Sequence, residues 1–175
     1  METAVFGGGC FWCTEAFFQS LKGVSSVLPG YAGGSVENPS YEQVSRGATG
    51  HAEVAKIEFD PKVIKFIDLL EVLFATHDPT TKNYQGNDIG EQYRSAIFYT
   101  NLEQKQAAEK FIQALENDQT YSSPIVTQIQ SLQKFYPAEN YHQNYFLNNP
   151  DKPYCQVVIN PKVQKFKIKF ASLLK

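Results

Sequence analysis

Thr3-Ala4-Val5-Phe6-Gly7-Gly8-Gly9-Cys10-Phe11-Trp12-Cys13-Thr14-Glu15-Ala16-Phe17-Phe18-Gln19-Ser20-Leu21-Lys22-Gly23 carries three signals in order. Thr3 to Phe6 reads as a short strand, the glycines break it, and from Trp12 to Leu21 apolar residues recur at helical spacing until Gly23 stops the helix. A strand therefore feeds a helix through a glycine turn, and a C-x-x-C pair, Cys10 and Cys13, stands where the helix begins.

Elements of both kinds alternate outward from this unit. Val24 to Tyr31 reads as a strand, Gly33 to Pro39 as a loop, Ser40 to Arg46 as a short helical turn and Glu53 to Phe59 as a strand. Ile64 to Ala75 has a helical apolar repeat, and Thr76 to Tyr93 is a long polar stretch with little pattern, of the kind that tends to be functional. A strand at Ser95 to Tyr99, an amphipathic helix over Leu102 to Leu115 capped by Asn101, and a strand at Ile125 to Ile129 come next. From about residue 131 the chain reads as irregular and aromatic, with a turn of helix near His142 and a basic tail, Val163 to Leu174, read as helix. Helix-length crossovers mixed with direct strand-to-strand steps argue an α+β two-layer sandwich with a mixed sheet, organised as one domain over residues 1–175.

Composition narrows the function. The 16 Lys and Arg against 18 Asp and Glu leave a net charge of −2, which excludes a binder of nucleic acid working through bulk phosphate attraction. No apolar run approaches the length of a membrane span, and Met1 to Phe6 lacks the basic start of a secretory signal, so a cytoplasmic location is expected. In a reducing compartment three cysteines pose a question of reactivity.

The start of a helix carries partial positive charge and free N–H groups that stabilise a thiolate, so Cys10 is expected to have a lowered pKa and to be the nucleophile, with Cys13 within disulfide reach. A zinc half-site or two packed core thiols remain the alternatives. Phe11 and Trp12, the only tryptophan, fit an apolar floor beside the thiol, or ordinary core. Strand parity puts Glu53 on the face of Ala55, Ile57 and Phe59, where burial would raise its pKa and let it donate a proton; a strand-end glutamate reaching solvent fits the pattern equally. His51 suits a structural hydrogen bond, His77 and His142 show no metal-site spacing, and the lysines at 162, 165, 167 and 169 suit a solvated face.

Gly7-Gly8-Gly9-Cys10-Phe11-Trp12, Gly30-Tyr31-Ala32-Gly33-Gly34, Asn38-Pro39-Ser40-Tyr41, Gly50-His51-Ala52-Glu53-Val54, His77-Asp78-Pro79-Thr80, Gln85-Gly86-Asn87-Asp88 and Gln92-Tyr93-Arg94-Ser95 together resemble the A-type peptide-methionine sulfoxide reductases, in the subgroup reading G-C-F-W-C. The likeness runs in order from Val5 to Phe98 and more weakly through Ala138 to Asn144 and Tyr154 to Phe170. It implies a ferredoxin-like plait core and the reduction of methionine S-sulfoxide, free or in oxidised proteins. Cys10 then corresponds to the nucleophile, Glu53 to the proton donor, Tyr41 and Tyr93 to hydroxyls on the sulfoxide oxygen, Phe11 and Trp12 to walls for the methyl group, and Asp88 to an acidic residue of the substrate site. It also implies no bound cofactor, thioredoxin or another dithiol as external reductant, and a monomer. Cys13 is expected to resolve the oxidised Cys10, with Cys155 as the other candidate. The chain departs from the family's usual pattern at Tyr84, where Arg is commoner, and at Lys65, where a capping Ser or Thr is usual; the lost cap should cost about 1 kcal/mol, offset in part by Asp68. A general thiol-disulfide oxidoreductase is the competing reading, and it leaves Glu53, Tyr41 and Tyr93 without a task.

Overall fold

A computed structural model describes residues 1–175. The opening strand, β1 (Glu2–Gly7), passes through the glycine turn into α1 (Phe11–Gln19), as the sequence predicts. After it come β2 (Val24–Ala32), α2 (Tyr41–Ser45), β3 (Ala52–Phe59), α3 (Phe66–Thr76), a small hairpin of β4 (Tyr84–Gln85) and β5 (Asp88–Ile89), β6 (Ala96–Tyr99) and α4 (Leu102–Asn117). The chain continues through β7 (Gln128–Ser131), β8 (Phe135–Pro137), α5 (Tyr145–Asn148) and α6 (Asn160–Lys169).

Six strands form one mixed sheet in the order β7-β6-β1-β3-β2-β8, antiparallel throughout except for the parallel pair β6 and β7. Its middle four strands, β6-β1-β3-β2, with α1 and α3 as the crossovers, make the expected plait. One face of the sheet carries Ala4, Phe6, Ala55, Ile57, Phe59 and Ile97 into the main core, against Phe17 and Phe18 of α1 and Leu69, Leu70 and Leu73 of α3. Glu53 is on that face by strand parity, one step from the start of β3 and paired with Tyr31 of β2.

Several boundaries differ from the expectation. The strand placed at Ile125 to Ile129 lies at Gln128–Ser131, set by its ladder to β6 rather than by its apolar residues. The stretch from residue 131 is not wholly irregular, since β8 pairs with the edge of β2, where Gly30 leaves room for the Phe135 ring. Thr76 to Tyr93 contains the β4-β5 hairpin and a 3-10 turn at Glu91–Tyr93. The tail helix starts earlier than Val163, continuing a wider helical turn over Cys155–Ile159, and ends at Lys169. α3 is closed without a Ser cap by the Lys65 N–H donating to Asp68 Oδ2 at 2.8 Å. No helix is long and apolar enough to cross a membrane.

Candidate active site

Cys10 caps α1, in an extended conformation that leaves its sulfur at the helix start, and its carbonyl accepts the N–H groups of Cys13 (3.2 Å) and Thr14 (3.4 Å). Gly9 before it adopts φ 93°, and a Cβ there would press on the Gln85 side chain at 2.9 Å, so only glycine brings the turn this close to Gln85. Glu53 reaches the same helix start from β3, its Oε1 accepting the Phe11 N–H at 3.2 Å across 42 residues of sequence. It is 2 % exposed, so the buried alternative of the sequence holds and the solvent-reaching one does not.

Two acidic groups thus share one helix N-terminus. Burial, with Cys10 next, holds the Glu53 carboxyl well above the usual carboxylate range, and the Phe11 N–H pulls the other way without overcoming them. The lowered pKa expected for Cys10 is not what the site gives. Burial and the adjacent Cys13 push the Cys10 thiol up, against the Trp12 backbone N–H and the nearby Tyr154 hydroxyl, because desolvation outweighs the helix-end field. Cys13 shifts down, chiefly through its hydrogen bond with Cys10, and Lys162 adds to this.

Tyr41 and Tyr93 belong to the same cluster. Burial and then the field of Glu53 push the Tyr41 phenol to about 12 and that of Tyr93 higher still, so both remain neutral donors. Asp88 acts on Tyr93 and on Glu53, and its Oδ2 accepts the Tyr154 hydroxyl at 2.8 Å. Phe11 is buried among Tyr31, Tyr41 and His142. Trp12 is half-buried, stacked on Tyr145 with ring centroids 3.7 Å apart and planes 8° apart, and its Nε1–H donates to His142 Nδ1 at 3.0 Å. All eight site residues expected from the sequence therefore gather around the start of α1. His142, Tyr145 and Tyr154 join them from the C-terminal segment, and Glu139 orders the rim by accepting from Tyr31 Oη and the Tyr41 N–H, both at 3.0 Å. The weaker stretches of family likeness cover Glu139, His142 and Tyr154 but not Tyr145.

The remaining histidines are structural. His51 accepts the Gly34 N–H at Nδ1 (3.0 Å) and donates from Nε2 to Val36 O (2.7 Å), fixing the loop after β2. His77, held neutral with its pKa lowered to about 4 by burial, donates to Leu73 O and pairs with Ser95 beneath Gly8. No three His, Cys, Asp or Glu side chains converge in a way that could hold a metal ion. A cleft of about 620 Å³ opens beside Cys10 and Cys13, bordered by Asp78, Asp88, Lys162 and Lys169, so two of the tail lysines face it. Cys155 is fully buried, among Ile159 and Val163 of the main core.

Comparison with known proteins bears on this site directly. The family model described as peptide methionine sulfoxide reductase matches residues 2–173. The peptide methionine sulfoxide reductase MsrA of Polynucleobacter asymbioticus is 56 % identical over 174 residues, covering 99 % of this chain and 92 % of that protein. The crystal structure of Mxr1 from Saccharomyces cerevisiae in reduced form matches with a TM-score of 0.76 at 34 % identity, over 88 % of each chain. Mxr1 in complex with Trx2 matches at 0.53 and 24 % identity, over 82 % of this chain and 84 % of that one, a likeness of fold alone. The chain belongs to the peptide methionine sulfoxide reductases of the MsrA type, enzymes that reduce methionine sulfoxide.

Proposed function

We propose that this protein reduces the S epimer of methionine sulfoxide, free or in oxidised proteins, by sulfenic acid chemistry at Cys10. The observation that carries this reading is the buried Glu53 carboxyl on the Phe11 N–H, at the helix start that Cys10 caps. The one-enzyme-per-epimer rule and the family give the S configuration.

Cys10 first releases its proton to water. Its sulfur then attacks the sulfoxide sulfur while Glu53 gives its proton to the sulfoxide oxygen, and Tyr41 and Tyr93 donate hydrogen bonds to that oxygen as it gains charge. The hydroxyl then passes from the substrate sulfur to the Cys10 sulfur as the bond between the two sulfurs breaks, so methionine leaves and Cys10 becomes a sulfenic acid, with Glu53 ionised and reprotonated from water. Phenols that stay neutral past pH 10 suit the donor task, since they stabilise the oxygen without competing for its proton. Phe11 and Trp12 wall the methyl group, and Asp88 orients the rim.

The Cys13 thiol next attacks the sulfenic sulfur, forming a disulfide and releasing water. Its hydrogen bond with Cys10 supports this assignment over Cys155. An external dithiol of the thioredoxin class reduces the disulfide by exchange, a reading supported by the existence of the Mxr1 complex with Trx2. The chain works as one catalytic domain and as a cytoplasmic monomer, without a bound cofactor.

The test is a count. Reduced protein incubated with each purified epimer and no reductant should form about one methionine per chain from the S epimer alone, consuming two thiols, and Cys10→Ser should form none. Methionine formed by Cys10→Ser at the normal rate would overturn the assignment.

A further inference from the structure

Two carboxyl side chains lie in the interior, Glu53 and Glu15, and the chemistry above uses only the first. Glu15 sits on α1 one turn beyond Trp12 and is 1 % exposed. No lysine or arginine pairs with it. Its partners are backbone groups 129 and 130 residues away: Oε2 accepts the Asn144 N–H at 2.9 Å and Oε1 the Tyr145 N–H at 3.3 Å. Those N–H groups open α5, where Asn144 has φ 55° and makes no side-chain cap, so a carboxylate from another helix supplies the missing acceptors.

The same segment meets α1 twice more, through the Trp12 Nε1–H bond to His142 and the Tyr145 ring on the indole. Tyr145 is thus held at both ends, its backbone by Glu15 and its ring by Trp12. A displaced Tyr145 backbone moves the ring with it. We propose that Glu15 is a positioning residue: its carboxylate fixes the Asn144 and Tyr145 backbone, keeps Tyr145 on Trp12, and so sets the slot that receives the sulfoxide methyl group. This rests on the reading of Trp12 as a wall of the substrate site. Glu15 touches no reacting atom, so it acts on substrate binding and not on the transfer of oxygen.

Glu15→Gln tests this at nearly constant shape. An amide offers one acceptor and turns an NH2 toward the second N–H, leaving a buried donor unpaired. Trp12 is the only tryptophan, so its emission reports the stack in the intact protein. The variant is expected to show acrylamide quenching of Trp12 raised at least about twofold and a KM for methionine S-sulfoxide raised about five- to tenfold, with kcat within about twofold of wild type. Glu15→Asp keeps the charge but falls one methylene short, and should move both readouts the same way by less. If Glu15→Gln does not fold, as judged by circular dichroism, the Asp variant carries the test. Wild-type quenching and KM in a folded variant would overturn the proposal, as would a fall in kcat at unchanged KM. Raised quenching with unchanged KM would overturn the slot and the place of Trp12 in binding, whereas an inactive wild type would overturn the reductase reading and leave the quenching result standing.

Discussion

The start of α1 and the segment from Glu139 to Tyr154 build the same site by different means. Cys10 caps α1 just after the central strand β1, Glu53 stands on the adjacent β3, and the Phe11 N–H next to Cys10 binds the Glu53 carboxyl. The later segment reaches the site through side-chain bonds over long loops: Glu139 to Tyr31 and Tyr41, Glu15 to Asn144 and Tyr145, Tyr154 to Asp88. Groups that exchange protons and oxygen need fixed geometry to within a fraction of an ångström, which a sheet provides. Groups that shape a pocket tolerate an attachment that side chains can adjust.

If that division is right, altering the first region should change chemistry most. Glu53→Gln is expected to slow single-turnover methionine formation by about 10²-fold or more, as for loss of a general acid. The pH profile fixes the sign: the wild-type rate should fall as pH rises through the elevated Glu53 pKa, because only the protonated acid donates, and that limb should vanish in the Gln variant. Stopped-flow measurements across pH would check this, and an unchanged limb would move the proton donor elsewhere. Cys13→Ser should leave one methionine per chain intact yet stall cycling with thioredoxin. A thiol count and a coupled assay distinguish the two, and sustained cycling would hand the resolving role to Cys155.

The second region should register in stability. Burial pushes the Glu15 carboxyl up to about 7 despite its two backbone N–H partners. A folded pKa above the unfolded value of 4.5 means that the folded protein holds the proton more tightly. Stability is then lost as pH rises from about 4.5 to about 7 and levels off above, by at most about 3 kcal/mol. Urea unfolding at pH 5 and pH 8 should show Glu15→Gln gaining on wild type by up to that amount at the higher pH. Glu53 shifts in the same direction in both proteins, so the difference between them isolates Glu15.

The sequence was most legible where local pattern and burial agree. The glycine turn and helical repeat announced β1 and α1, and alternation along β3 placed Glu53 on the core face before any distance was known. The plait itself needed the family likeness, because the element order alone left the strand order open. β8 escaped because three residues cannot display a period and its pairing depends on the distant Gly30. Glu15 escaped for another reason: α1 is buried on most of its circumference, so a glutamate that would mark the wet face of an amphipathic helix lies inside. The direction of the Cys10 shift was also out of reach, since a helix end is visible in sequence and the depth of the surrounding protein is not.

The position of β1 between β3 and β6 bears on the protein's manufacture. A ribosome makes the middle strand and the thiol that follows it before either neighbouring strand exists. Cys10 therefore follows an unpaired strand, and of the groups that later surround it His142, Tyr145 and Tyr154 are translated after both neighbours. Until that segment is made and folded, the thiol stands without the ring of aromatic groups that later surrounds it.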